Sequence, residues 1–114
     1  MESILQTYPN IKGVVATSDR LALEALKKTI EKDALQIPVI GTDGTIEMTK
    51  FIKTGKISAT TAQNPYDMGY QSVEQAQKAI KGGNVAKKRI DTGIDLITKD
   101  NAKERLNFLK DVLH

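Results

Sequence analysis

The stretch that most constrains this chain is Val39-Ile40-Gly41-Thr42-Asp43-Gly44-Thr45. An apolar run enters a turn that carries one carboxylate between two glycines, and a helical pattern begins directly after it. A strand that hands over to a helix through so short a turn belongs to an α/β unit, and open α/β sheets keep their ligand sites at the carboxyl ends of the strands. Two further stretches end in the same manner, Ala16-Thr17-Ser18-Asp19 and Ala62-Gln63-Asn64-Pro65. All three offer short polar side chains without an obvious catalytic set. That pattern favours a receptor for a small polar ligand over an enzyme.

The rest of the chain fits around these three turns. Met1 to Tyr8 reads as the end of a helix stopped by Pro9 and Asn10, and Ile11 to Ala16 as a short buried strand. Ser18 or Asp19 caps the next helix, which is expected to run to about Asp33 with Ala22, Leu23, Leu26 and Ile30 as its apolar stripe. Ile37 to Gly41 is the second strand. Thr45 to Thr54 is a helix with Met48, Phe51 and Ile52 inward, ended by Gly55. Ile57 to Ala62 is a threonine-rich third strand. Asn64 then supplies a cap and Pro65 a first-turn proline for a helix carrying Gly69, Val73, Ala76 and Ile80 at helical spacing, with Gly82-Gly83 after it. Arg89 to Thr98 is extended, interrupted by Asp91-Thr92-Gly93. The last helix opens at Asp100 or Asn101, with Asn101 and Glu104 at capping-box spacing and Ala102, Leu106, Leu109 and Leu113 inward. Strands alternating with helices through short connections predict an α/β fold, a parallel sheet flanked by helices.

Composition removes several classes of function. The 114 residues suit one domain, and 39% hydrophobic with 27% charged residues argues against a disordered chain. The net charge is only +3 and the lysines are scattered. The one dense basic run, Lys87-Lys88-Arg89, reads as the solvated start of a strand, and five aromatics make no stacking platform, so no nucleic-acid partner is expected. There is no cysteine, hence no disulfide and no thiolate chemistry. No apolar run approaches the roughly twenty residues of a membrane span. Met1 leads into Glu2 without the basic segment and apolar core of a signal peptide.

Catalytic and metal readings find little support in the residue types. The single histidine is His114, which disfavours a Ser-His-Asp or Cys-His arrangement, and neither histidine nor cysteine supports a metal site. Asp19 and Asp43 at neighbouring strand ends could pair, but helix capping by Asp19 and hydrogen-bond acceptance by Asp43 explain them better. The turn at 41–45 matches no phosphate-cradling loop, and its carboxylate would repel a phosphate. A phospho-accepting Asp43 would need acidic companions for magnesium, which earlier strand ends lack. No cofactor is expected. Ligand binding suits the residue types: Asp43 accepts from hydroxyl donors, while the Gln63 amide and the Ser18 hydroxyl both donate and accept. Sugars present alternating donors and acceptors. Ordinary turn and cap duty is the competing account of Gln63 and Ser18, and the residues alone leave both open.

The run Ile11 to Leu26 (IKGVVATSDRLALEAL), the run Val39 to Thr45, and Ala62-Gln63-Asn64-Pro65-Tyr66-Asp67-Met68-Gly69 together resemble the type I periplasmic sugar-binding proteins, and within them the ribose-type solute-binding proteins of ABC transporters. The three motifs fall in family order with family spacing. The resemblance implies a two-lobed α/β protein that closes on a sugar, with Asp43 and Gln63 binding sugar hydroxyls. Ser18 stands where the first motif usually carries asparagine, followed by the expected Asp19. Ser18, Asp43, Gln63 and Asp19 are therefore the expected ligand-binding residues.

Family members are more than twice this length, so the resemblance makes residues 1–114 a partial C-terminal lobe, half of the two-lobe fold. In the intact fold 65–90 would pack on the other lobe. It further implies a monosaccharide ligand, an ABC permease as partner, an extracytoplasmic location and no enzymatic activity. The alternative is the effector-binding portion of a lactose-repressor-type regulator. Without the other lobe, the apolar face of the helix after Pro65 (Val73, Ala76, Ile80) needs a partner, and either a rearranged packing or self-association into a homo-oligomer through that face is expected, exchange of elements being one route.

Overall fold

Strand and helix alternate through the described residues of the computed structural model, which are 1–27, 36–85 and 89–113. The order is α1 (Glu2–Thr7), β1 (Val14–Val15), α2 (Asp19–Ala25), β2 (Val39–Asp43), α3 (Ile46–Lys53), β3 (Ala59–Gln63), α4 (Pro65–Ile80), β4 (Ile94–Ile97) and α5 (Ala102–Val112). The chain divides into two units, Met1–Ala62 with Leu96–His114, and Gln63–Asp95. The expected end of α2 near Asp33, its stripe residue Ile30, the basic residues Lys87 and Lys88, and His114 lie outside the described residues.

The first unit is built on the sheet, in the order β1-β2-β3-β4. It is mixed and mostly parallel, flanked by helices. β1 and β2 are parallel, with Val14 opposite Val39, and β2 and β3 are parallel, with Ile40 opposite Ala59 and Asp43 opposite Ala62. The core lies where the apolar faces predicted from helical spacing meet the sheet. Ala22, Leu23 and Leu26 of the α2 segment, Val39, Met48, Ile52, Ile57, Ala62, Ile97 and Ala102 form one buried cluster, with Phe51 half-buried against it. β1 is shorter than the run expected from Ile11 to Ala16, because only Val14 and Val15 pair in register with β2. The Val14 and Ala16 N–H groups bond to Pro38 and Ile40 carbonyls. Strand alternation puts Val15 on the opposite face of the sheet from Val14, and it is 80% exposed.

Two helix starts differ from the expected capping. Asn101 makes no cap hydrogen bond to α5 and so does not form the box with Glu104. Its Oδ1 accepts from Thr98 N–H and its Nδ2 donates to Leu96 O, each at 2.9 Å. The side chain satisfies backbone groups where β4 ends, a competing use that asparagine geometry permits. Of the expected inner face of α5, Ala102 and Leu106 are buried, Leu109 is half-buried and Leu113 is exposed. Arg105 is buried in its place.

In the second unit, Pro65 is the first residue of α4, as expected, but Asn64 gives no side-chain cap. Its Nδ2 donates to Thr92 O at 2.9 Å instead, tying the start of α4 to the returning segment. There Gly93 N–H bonds to Asp91 Oδ1 at 2.9 Å. No residue of α4 is buried. Tyr66, Tyr70, Val73 and Ile80 lie along it at helical spacing and are 55 to 86% exposed.

Candidate ligand-binding site

Ser18, Asp19 and Asp43 come together at the carboxyl ends of β1 and β2. Ser18 is the N-cap of α2, in extended backbone geometry, and its Oγ accepts from Leu21 N–H at 3.3 Å. One lone pair is thereby engaged, while the O–H remains available as a donor. Ser18 is half-buried.

Asp43 ends β2 with its side chain exposed and its φ at 134°, the one positive φ at a non-glycine among the described residues. An aspartate in this region is strained by about 1–3 kcal/mol, and such strain concentrates at functional sites. Its Oδ2 accepts from the backbone N–H of Asp19 at 3.3 Å. Gly44 follows with φ 77°, and a side chain there would strike Ala62 and come within 3.3 Å of Arg105 Nη2. The turn thus rests directly on β3 and on a buried guanidinium from α5.

Asp19, also among the expected ligand contacts, lies beneath the surface. It is 1% exposed. Oδ2 accepts from Thr45 N–H at 2.8 Å, and Oδ1 accepts from the hydroxyl of Thr60, itself fully buried, at 2.5 Å. A buried carboxylate is costly unless hydrogen-bonded, and here both oxygens have protein donors. Asp19 thereby joins the start of α2 to the turn after β2 and to Thr60 inside β3, from beneath. Gly41 makes room for it: a Cβ at that position would lie 2.5 Å from Asp19 Oδ1 and 2.6 Å from Met48 Cε. Thr42 Oγ1 adds a bond to Ala16 O at 3.3 Å, and Thr45 caps α3 by accepting from Met48 N–H at 3.3 Å.

Gln63 is the last residue of β3, exposed, and opens the second unit. Thr60 and Arg105 were not singled out in the sequence. In the sequence Thr60 is one hydroxyl residue among several in a short strand, and nothing local ties it to Asp19. Arg105 carried a weak signal, a charged residue one turn from the buried Ala102. Among the described residues no cluster of three or more His, Cys, Asp or Glu could hold a metal ion.

This geometry agrees with three comparisons. Residues 1–84 match the family model described as Periplasmic binding protein domain, and the chain belongs to that family of solute-binding proteins. It is 38% identical over 88 residues to the ribose import binding protein RbsB of Salmonella typhimurium, covering 77% of this chain and 30% of that protein. It is also 38% identical over 111 residues to a D-apiose import binding protein of Actinobacillus succinogenes, covering 95% and 36% respectively. An ABC transporter periplasmic solute binding protein from Actinobacillus succinogenes, solved with bound D-allose, superposes with a TM-score of 0.82 at 27% identity, over 90% of this chain and 36% of that one. The chain spans about a third of the length of the curated relatives it matches.

Proposed function

We propose that this chain is part of the C-terminal lobe of an extracytoplasmic binding protein that delivers a monosaccharide to an ABC permease. The observation that carries the reading is Asp43, an exposed carboxylate held at φ 134° at a strand end. A carboxylate only accepts, and the Ser18 O–H can donate, so the pair is complementary to a ligand that offers both. Gln63 is proposed as a further contact, able to do either. The names of the relatives, which import ribose and apiose, support a pentose or similar sugar and favour the transport branch over a regulator. Recognition without bond cleavage is the proposed activity.

In a parent protein of the relatives' length, 65–90 packs on the companion lobe, covering Tyr66, Tyr70, Val73 and Ile80. Hinge closure over the sugar then excludes water from the polar contacts. Half a cleft cannot do so, and this chain by itself is expected to bind sugar more weakly than millimolar. The test is an NMR titration of the chain with D-ribose, apiose and D-allose at high concentration. Shifts confined to Ser18, Asp43, Gln63 and their neighbours are expected. Sugars that move none of these signals would remove the reading, and millimolar or tighter binding by calorimetry would overturn the half-cleft argument.

A further inference from the structure

We infer that Asp19 and Thr60 are positioning residues that hold Asp43 in its ligand-facing geometry. The inference rests on the reading of Asp43 as a sugar contact. Residue 19 grips the 43–45 turn twice. Its backbone N–H donates to Asp43 Oδ2 and its Oδ2 receives the Thr45 N–H, so the same residue holds the aspartate side chain and the backbone two residues beyond it. A strained φ persists only where its surroundings over-determine it, and this double grip does so.

Thr60 sets the direction of the grip. A carboxylate rotating about its last bond would carry Oδ2 away from Thr45. The buried hydroxyl of Thr60 holds Oδ1 and so keeps Oδ2 on the turn. Neither residue can meet the ligand itself, since Asp19 is 1% and Thr60 0% exposed. The orientation of an exposed recognition group is therefore decided from beneath, by a side chain of the adjacent strand. This separates residue 19 from residue 18 of the same motif: Ser18 faces the ligand, and Asp19 faces the protein.

The experiment is NMR of the whole 114-residue chain as wild type, Thr60→Val, Thr60→Ser and Asp19→Asn. Thr60→Val keeps the volume and removes only the hydroxyl. Amide exchange should rise about tenfold or more at Asp19 and Thr45 relative to Ala22 and Thr49, whose helical N–H groups report general opening of α2 and α3. The Asp43 carboxyl carbon signal should move with them, and Thr60→Ser should restore both. Should Thr60→Val fold poorly, Asp19→Asn retains the shape but sets an amide N–H₂ or an unsupported oxygen against Thr45, and the same selective changes are expected. Equal acceleration at all four amides, or an unmoved Asp43 signal, would reduce the pair to ordinary stability and overturn the inference. The sugar reading fails separately: sugars that leave wild-type Asp43 unmoved, while Thr60→Val still releases Asp19 and Thr45, would sink it and leave the clamp standing.

Discussion

The Thr60 hydroxyl donates to Asp19 Oδ1 across 41 positions of sequence, and both side chains are buried. The bond joins the third strand to the helix that leaves the first, and the turn leaving the second strand is attached to the same carboxylate. Asp19→Ala leaves the Thr60 hydroxyl and the Thr45 N–H without their acceptor. The Thr60 hydroxyl is buried, and an unsatisfied buried donor costs about 1–3 kcal/mol, while the N–H of the exposed Thr45 can turn to water, so a loss of about 2 kcal/mol is expected. Urea denaturation checks this, and a change under 1 kcal/mol would show that both donors find other partners.

Asp43 should invert the usual order of alanine and glycine. At an ordinary position glycine is the less stable of the two, by about 0.5–1 kcal/mol. At φ 134° alanine keeps the strain and loses the Asp19 bond, whereas glycine loses the bond but relaxes the backbone. Asp43→Gly is expected to exceed Asp43→Ala in stability by about 1 kcal/mol. Thermal unfolding of the two variants in parallel decides it, and an alanine variant more stable than the glycine variant would contradict the strain.

Gly41→Ala tests the space that admits Asp19. The added methyl would meet Asp19 Oδ1 and Met48 Cε at 2.5 and 2.6 Å. The methionine can yield, but the carboxylate is held by two donors, so overpacking should cost about 2–3 kcal/mol. The amide signals of Asp19 and Thr45 should shift along with the stability. A neutral substitution would place Asp19 elsewhere.

The exposed stripe of α4 should drive self-association of this chain. Val73 is 71% and Ile80 86% exposed, on a helix with no buried residue. Sedimentation velocity at rising concentration is expected to show oligomers, and Val73→Glu with Ile80→Glu should return the chain to monomer. A wild type that stays monomeric at high concentration would count against it.

Asn64→Ala removes the amide that donates to Thr92 O. The expected loss is about 1 kcal/mol, the net contribution of one hydrogen bond, with faster exchange at Gly93 in the neighbouring turn. Unchanged exchange there would show that the turn at Asp91 holds without Asn64.

The alternation of strands and helices was legible because local pattern carries it. Met48 and Ile52 at helical spacing, and apolar runs ended by glycine or proline, report which face is buried whatever the partner. The positions of Ser18 and Asp43 at strand ends follow from the same pattern. Capping was less legible. Asn64 and Asn101 both stand where a cap belongs, yet each amide serves a distant or preceding backbone group, and nothing local distinguishes those uses.

From the order of its residues alone, the chain determines an α/β succession with polar strand ends, since periodicity and turn chemistry act over a few residues. Only the packed sheet decides that Asp19 turns inward to Thr60 while Asp43 stays outward under strain. That choice depends on parallel register, which brings Asp43 opposite Ala62, and on the cost of burying a carboxylate without donors.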